Sequence, residues 1–179
     1  MCEKEGWALR AVFAVLYIVL LGVAAHVVGE ALPRRWFHFD RGPYRCRDWE
    51  RGGAAYERLG VQRWKLRVPD ASRYAPDMVK KRFSGKPTAA TLERLLQETC
   101  VAECIHWVLL ACSAGLWLLL RGVAGAVATA LYALSHLPFI IIQRYNRPRL
   151  ARLYLRLGGN RTVQQPAPCA EAAQPVGAA

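Results

Sequence analysis

Glutamate and histidine are costly inside apolar chain, and Glu103 and His106 stand together in one such stretch, CVAECIHWVLLACSAGLWLLL from Cys100 to Leu120. Spaced i, i+3, they are neighbours about 60° apart on a helix. A histidine held by a carboxylate is poised as a general base, because the carboxylate fixes the tautomer and stabilises the imidazolium as a proton arrives. Such a base can deprotonate an alcohol for acyl transfer. The pair also reads as a structural hydrogen bond at a membrane boundary, or as interfacial groups that snorkel.

The second dense cluster is Gln143-Arg144-Tyr145-Asn146-Arg147-Pro148-Arg149, directly after another apolar stretch. Its amide, guanidinium and phenol groups are suited to gripping a sugar, a phosphate or a carboxylate. The plainer reading is a run of positive charge that stops translocation, followed by an amphipathic helix (Leu150, Leu153, Tyr154, Leu157) lying on anionic lipid. Arginines alone satisfy that reading; the interleaved Gln143, Tyr145 and Asn146 favour the first. His136 lies one to two turns before Gln143 and is a candidate member of the cluster. His26, alone in an apolar run, reads as a packing residue. Trp64 suits a membrane interface, Lys65 an anionic head group, and Asp70 after Pro69 a turn.

The six cysteines, Cys2, Cys46, Cys100, Cys104, Cys112 and Cys169, are scattered, and three fall in one apolar run, which points to packing rather than disulfides. Cys100 and Cys104 with His106 resemble a fragment of a metal site. A helix puts the histidine well round from both cysteines and no second ligand pair follows, so no metal is expected. No cofactor is expected either: the chain has no nucleotide-binding loop and no serine elbow motif.

Three elements must position these groups. With 179 residues the chain has room for one domain or one small bundle of membrane helices. It is 54% hydrophobic yet carries 25 Lys+Arg against 13 Asp+Glu, a net charge of +12, so greasy and basic residues must be segregated. They are: 16 basic and 9 acidic residues fall between Glu30 and Glu98, and 6 arginines with no acid fall between Gln143 and Arg161. Long apolar runs exclude a disordered or purely nucleic-acid-binding chain.

The first run, Ala11 to Val28, has 18 residues interrupted only by His26, close to the roughly 20 that cross a ~30 Å hydrocarbon core. Its leader, MCEKEGWALR, lacks a positive n-region, so an uncleaved anchor is expected rather than a signal peptide. The second and third runs, 100–120 and 122–142, are separated only by Arg121 and small residues, which makes them a tight antiparallel hairpin or two re-entrant pieces. Pro138 should kink the end of the third. The expected fold class is mainly α: a small multi-pass membrane helical protein of about three apolar helices with a short mixed cytoplasmic segment.

Between the spans, Gly60 to Pro69 alternates enough to read as a short strand or extended edge. From Thr88 onward the spacing of Leu92, Leu95, Leu96 and Thr99 is helical, with Thr88 as N-cap, and this helix can run straight into the second span. The expected organisation is one membrane domain over 1–165, with a cytoplasmic segment 29–99, a basic amphipathic segment 143–161 and a disordered tail 166–179. Arg34, Arg35, Arg41, Arg45 and Arg47 follow the first span while only Lys4 and Arg10 precede it, so the N-terminus is expected outside and the basic segments cytoplasmic.

Three stretches resemble one family in its order: WERGGAAYERLGVQRWKLRVPD (49–70), ETCVAECIHW (98–107) and HLPFIIIQRYNRPRL (136–150). They are similar to the small bacterial glycosyl-4,4'-diaponeurosporenoate acyltransferases, which perform the final acylation in making the carotenoid pigment staphyloxanthin. The resemblance implies transfer of a fatty acyl group onto the glucose 6-hydroxyl of a glycosylated carotenoid acid at the cell membrane. Under it His106 is the base and Glu103 orients it. Gln143, Arg144, Tyr145, Asn146, Arg147, Arg149, Trp64, Lys65 and His136 are the candidate binding residues. The implied partners are membrane lipid, a glycosylated carotenoid or glycolipid acceptor and a fatty acyl thioester donor, with no nucleic acid. Two further readings stay open: acylation of another glycolipid, and a non-catalytic membrane protein whose basic surface binds anionic lipid.

Overall fold

A computed structural model of the chain describes residues 2–65, 67 and 88–159, with the side chains of residues 2–5 left aside. The described residues are mainly helical, with no strand among them. The long helices are α1 (Cys2–Ala31), α3 (Ala89–Cys112) with its short continuation α4 (Ala114–Leu120), and α5 (Gly122–Arg156). A short helix, α2 (Val61–Trp64), and three 3-10 segments, Arg34–Trp36, Gly42–Tyr44 and Asp48–Leu59, lie between α1 and α3. Three helical stretches, Gly6–Ala31, Ala89–Leu120 and Gly122–Arg156, are long and apolar enough to cross a membrane. The mainly α class with three long apolar helices read from the sequence is the one observed.

The chain divides into two compact units: residues 1–32 with 102–140, and 33–101 with 141–179. In the first, α1 meets the end of α3 at a break in the helix. Ser113 shares its N–H between the Leu109 and Leu110 carbonyls at 3.0 and 3.2 Å, and its hydroxyl donates to Leu110 O at 2.6 Å. Tyr17 of α1 donates its phenol to the Cys112 carbonyl at 2.7 Å. Its ring fits because residue 115 is glycine: a Cβ there would lie 2.5 Å from the Tyr17 oxygen. The α4–α5 reversal turns on Arg121 (φ 55°, ψ 171°) and Gly122 (φ 54°), and it is tight enough that a Cβ on Gly125 would lie 3.0 Å from the Trp117 ring. His26 is exposed on α1 and does not pack in the interior. An outward side chain on this helix meets the surroundings of the protein, and the apolar run around His26 reflects that rather than a core.

The second unit has two small cores. Leu92 and Leu96 of α3 pack on Ala151 and Tyr154 of α5, with Phe39 edge-on to Tyr154 at 6.0 Å. Tyr56, Val61 and Tyr145 form the other, flanked by Trp64, Ile141 and Ile142. The Thr88 hydroxyl accepts from the Thr91 N–H at 3.2 Å, which is the expected cap, and the helix it starts does run on into the second apolar stretch. Glu98 on α3 takes a two-pronged contact from Arg34 at 3.2 and 3.0 Å.

Three expectations need correction. The expected strand over 60–69 is, where described, the helical turn α2. Gly60 at φ 64° closes one helical segment and opens the next, and Val61 and Trp64 at i, i+3 share the face that packs near Tyr145. The third span, expected over 122–142 with a kink at Pro138, is part of a longer helix, because α5 continues through Pro138 and Pro148 to Arg156. At 35 residues it is ~52 Å long, well beyond a ~30 Å hydrocarbon core. The basic amphipathic segment is therefore not a separate helix; over 143–156 it is the end of α5, held by the Ala151 and Tyr154 contacts just given. Asp70, the stretch from Tyr74 to Gly85 and the tail 166–179 lie outside the described residues.

Candidate active site

In the first unit, α3 carries Glu103 and His106, and α5 carries His136 and Phe139. Glu103 is 1% exposed and His136 7% exposed. The two imidazoles meet: His106 Nδ1 lies 3.3 Å from His136 Nδ1, so one nitrogen donates and the other accepts. Phe139 stacks on the His106 ring at 4.4 Å with 12° between the planes, and Tyr132 sits edge-on to His136 at 4.7 Å. These contacts fix both ring planes. His136 Nε2 is buried without a hydrogen-bond partner among the described residues. Glu103 Oε1 accepts from the Trp107 indole at 3.3 Å.

The pairing of His106 with His136 was not visible in the spacing, which offered Glu103 as the neighbour. The structure brings the two histidines together because α3, α4 and α5 fold back through the Arg121 reversal.

The second unit holds the basic cluster, and its arginines are engaged with the protein. Arg144 donates to the buried Glu50 carboxylate at 2.7 Å and to the Pro43 carbonyl at 2.5 Å. Arg147 is buried and spends three donors on Thr99 Oγ1, Thr99 O and Tyr44 O, at 3.0, 3.0 and 2.9 Å. Arg149 bridges Tyr145 O at 2.6 Å and Glu57 at 2.5 Å, its guanidinium 3.6 Å from the centre of the Tyr145 ring. Lys65 Nζ lies 5.0 Å from the centre of the same ring, while Trp64 donates its indole N–H to Leu59 O at 2.9 Å. Gln143 and Asn146, i, i+3 on α5, are half-buried, and their side-chain amides make no hydrogen bond to the described residues.

Sequence reasoning did not single out Glu50, Tyr56, Glu57 or Thr99. Glu50 is 1% exposed, and besides Arg144 it accepts from the Tyr56 phenol at 2.5 Å and the Arg47 N–H at 2.6 Å. Burial and the neighbouring Glu50 carboxylate push the Tyr56 phenol well above its ordinary value of 10.0. The available signal was charge: in a chain of net +12, WERGGAAYER supplies the scarce acids that an arginine-rich helix must find.

The model of a family described as glycosyl-4,4'-diaponeurosporenoate acyltransferase matches residues 33–156. A protein of that name from Staphylococcus aureus (strain MRSA252) is 25% identical over 148 residues, covering 80% of this chain and 87% of the relative. Another of that name, from Staphylococcus haemolyticus (strain JCSC1435), is 28% identical over 112 residues, covering 59% of this chain and 62% of the relative. No solved structure matches the chain. With the family's model covering all of the Glu50–Arg144 framework and both histidines, the chain belongs to the glycosyl-4,4'-diaponeurosporenoate acyltransferase family and is an acyltransferase.

Proposed function

We propose that the chain esterifies a fatty acyl group onto the glucose 6-hydroxyl of glycosyl-4,4'-diaponeurosporenoate at the cell membrane. The relatives' name supplies the acceptor. The observation in this chain that supports the chemistry is the His106–His136 contact at 3.3 Å within an apolar helical unit.

With the shared proton on His106 Nδ1 and accepted by His136 Nδ1, His106 Nε2 carries a lone pair and is a general base. It takes the proton of the sugar hydroxyl as that oxygen attacks the thioester carbonyl carbon. The tetrahedral intermediate collapses, the C–S bond breaks, and the leaving thiolate takes the proton back from Nε2. His136 is the positioning residue that keeps the lone pair on Nε2, and Glu103, one turn earlier on α3, stabilises the transient imidazolium.

Taken by itself, the second unit offers the Gln143 and Asn146 amides as hydrogen-bonding groups for a polar ligand. Arg144, Tyr145, Arg147 and Arg149 hold the backbone around those amides, and Trp64 and Lys65 complete the surroundings of Tyr145. The arginine excess after α1 and at the end of α5 supports a cytoplasmic side for those segments and an outside N-terminus.

The test is mass spectrometry of lipid extracts from cells that make the glycosylated carotenoid acid and express the wild-type chain or His106→Gln. A fatty-ester mass with the wild type and its loss with the variant, at equal membrane expression, is the expected result. Near-normal ester from the variant rules out His106 as base. No ester from either chain refutes this acceptor.

A further inference from the structure

While Arg144, Arg147 and Arg149 spend their donors on the protein, the three arginines of residues 48–65 do not. Arg51, Arg58 and Arg63 are exposed and make no ion pair or hydrogen bond through their side chains with the described residues. They line two adjoining grooves of the second unit. One, of about 460 Å³, is walled by Trp49, Arg51, Ala54, Ala55, Glu57 and Arg58; the other, of about 360 Å³, shares Glu57 and Arg58 and adds Arg63. Each falls within the roughly 300–1,000 Å³ of small-molecule sites. The one acid, Glu57, is already paired with Arg149, so the grooves present three uncompensated positive charges.

Two features shape this surface. Trp49 is 59% exposed, yet its indole is fixed edge-on against Tyr56, ring centres 5.8 Å apart, which leaves a flat apolar face open. Arg51 adopts a left-handed backbone (φ 48°, ψ 48°), rare for a residue with a side chain, and it heads a left-handed run with Gly52 and Gly53. Gly53 holds that run against α5, where a Cβ would lie 2.9 Å from Tyr145 O. Backbone strain of this kind persists where the surroundings impose it, and it concentrates at binding sites.

We infer that the Trp49–Arg51–Arg58 groove, extended by Arg63, binds the phosphorylated nucleotide end of a coenzyme A-type acyl thioester donor. Guanidinium groups match phosphate oxygens as paired donors, and an open indole face matches a purine ring. An anionic lipid head group offers the phosphate without the flat ring, so it leaves Trp49 unused. The inference rests on the thioester donor of the proposed function.

The probe is adenosine 3',5'-bisphosphate, which carries neither acyl group nor thiol, titrated into the full-length protein in zwitterionic nanodiscs with tryptophan fluorescence as the readout. Wild type is expected to bind it, with affinity falling as salt rises. Arg58→Ala and Arg63→Ala, both exposed positions, each weaken binding about tenfold, as does Arg51→Gly, which removes the guanidinium while relaxing the backbone. Trp49→Leu weakens binding of the nucleotide but not of inorganic phosphate. Circular dichroism and detergent elution unchanged from wild type establish that the variants fold. Wild type that does not bind the probe overturns the inference, even if ester forms in cells, in which case the acyl transfer reading stands alone. Nucleotide binding that is unchanged in all variants, with loss only of phosphatidylglycerol or of acyl carrier protein binding, overturns it in favour of that ligand. Nucleotide binding lost in the variants supports it even where the carotenoid acceptor proves wrong.

Discussion

The Glu50 carboxylate, 1% exposed, and the Arg144 guanidinium, 2.7 Å away, join residues 94 positions apart in the chain. This buried pair ties the loop around the Asp48–Leu59 segment to α5. Glu50→Ala strands the Arg144 charge and leaves the Tyr56 phenol and Arg47 N–H without their acceptor, so it should cost about 3–5 kcal/mol. Thermal unfolding in detergent should show a large fall. The double variant Glu50→Leu/Arg144→Met should recover much of the loss, because the orphaned charge is gone.

Tyr56 reports the same network by pH. Its folded pKa is raised above the unfolded value of 10.0, so the neutral phenol is the form the fold favours. The contribution to stability is fully present below about pH 10 and is lost as pH climbs through the raised folded value. A spectrophotometric tyrosine titration of the folded protein should show one phenol, missing in Tyr56→Phe, that ionises only above the others. A Tyr56 that titrates at its ordinary value contradicts the burial and the Glu50 contact.

Glycines at positive φ should differ in cost by what surrounds them. Gly53, at φ 94°, has Tyr145 O and an Arg149 nitrogen 2.9 and 2.6 Å from a notional Cβ, whereas Gly60, at φ 64°, has open space. Gly53→Ala should cost about 2–3 kcal/mol and Gly60→Ala about 1 kcal/mol. Equal melting temperatures for the two variants refute the close approach of the Gly53 turn to α5.

Arg121 offers the opposite experiment. Its φ of 55° with ψ of 171° lies beside a region nearly reserved for glycine. Arg121→Gly should raise stability by about 1 kcal/mol, the relief of strain being partly offset by the greater freedom of glycine in the unfolded chain. A lower melting temperature means the arginine side chain contributes more than its backbone costs.

The three apolar helices were legible because crossing a membrane imposes a length and a composition that survive without tertiary information. So was the Thr88 start of α3, since a cap is a local signal. The ends of helices were harder. Pro138 and Pro148 argue locally for stopping α5, but Arg144, Arg147 and Arg149 each find acceptors in residues 43–57 or at Thr99 and Tyr145, and those bonds reward continued helix. The strand reading of 60–69 failed for a related reason: alternation of charge mimicked period two, while Val61 and Trp64 follow period three. His106 and His136, 30 positions apart, carry no mark of each other in the sequence, because only the Arg121 reversal brings them together.

Among the described side chains of α1, Ala14 alone is buried, and the Tyr17 phenol makes a long-range hydrogen bond to Cys112. Most of its surface therefore answers to solvent quality rather than to complementary shape. Exchanges among Val, Leu and Ile on its exposed faces leave the interior untouched, so away from Ala14 and Tyr17 the constraint on α1 is mainly one of length and greasiness. A family signature should fade in such a helix, and the family's match to this chain begins at residue 33, just past it.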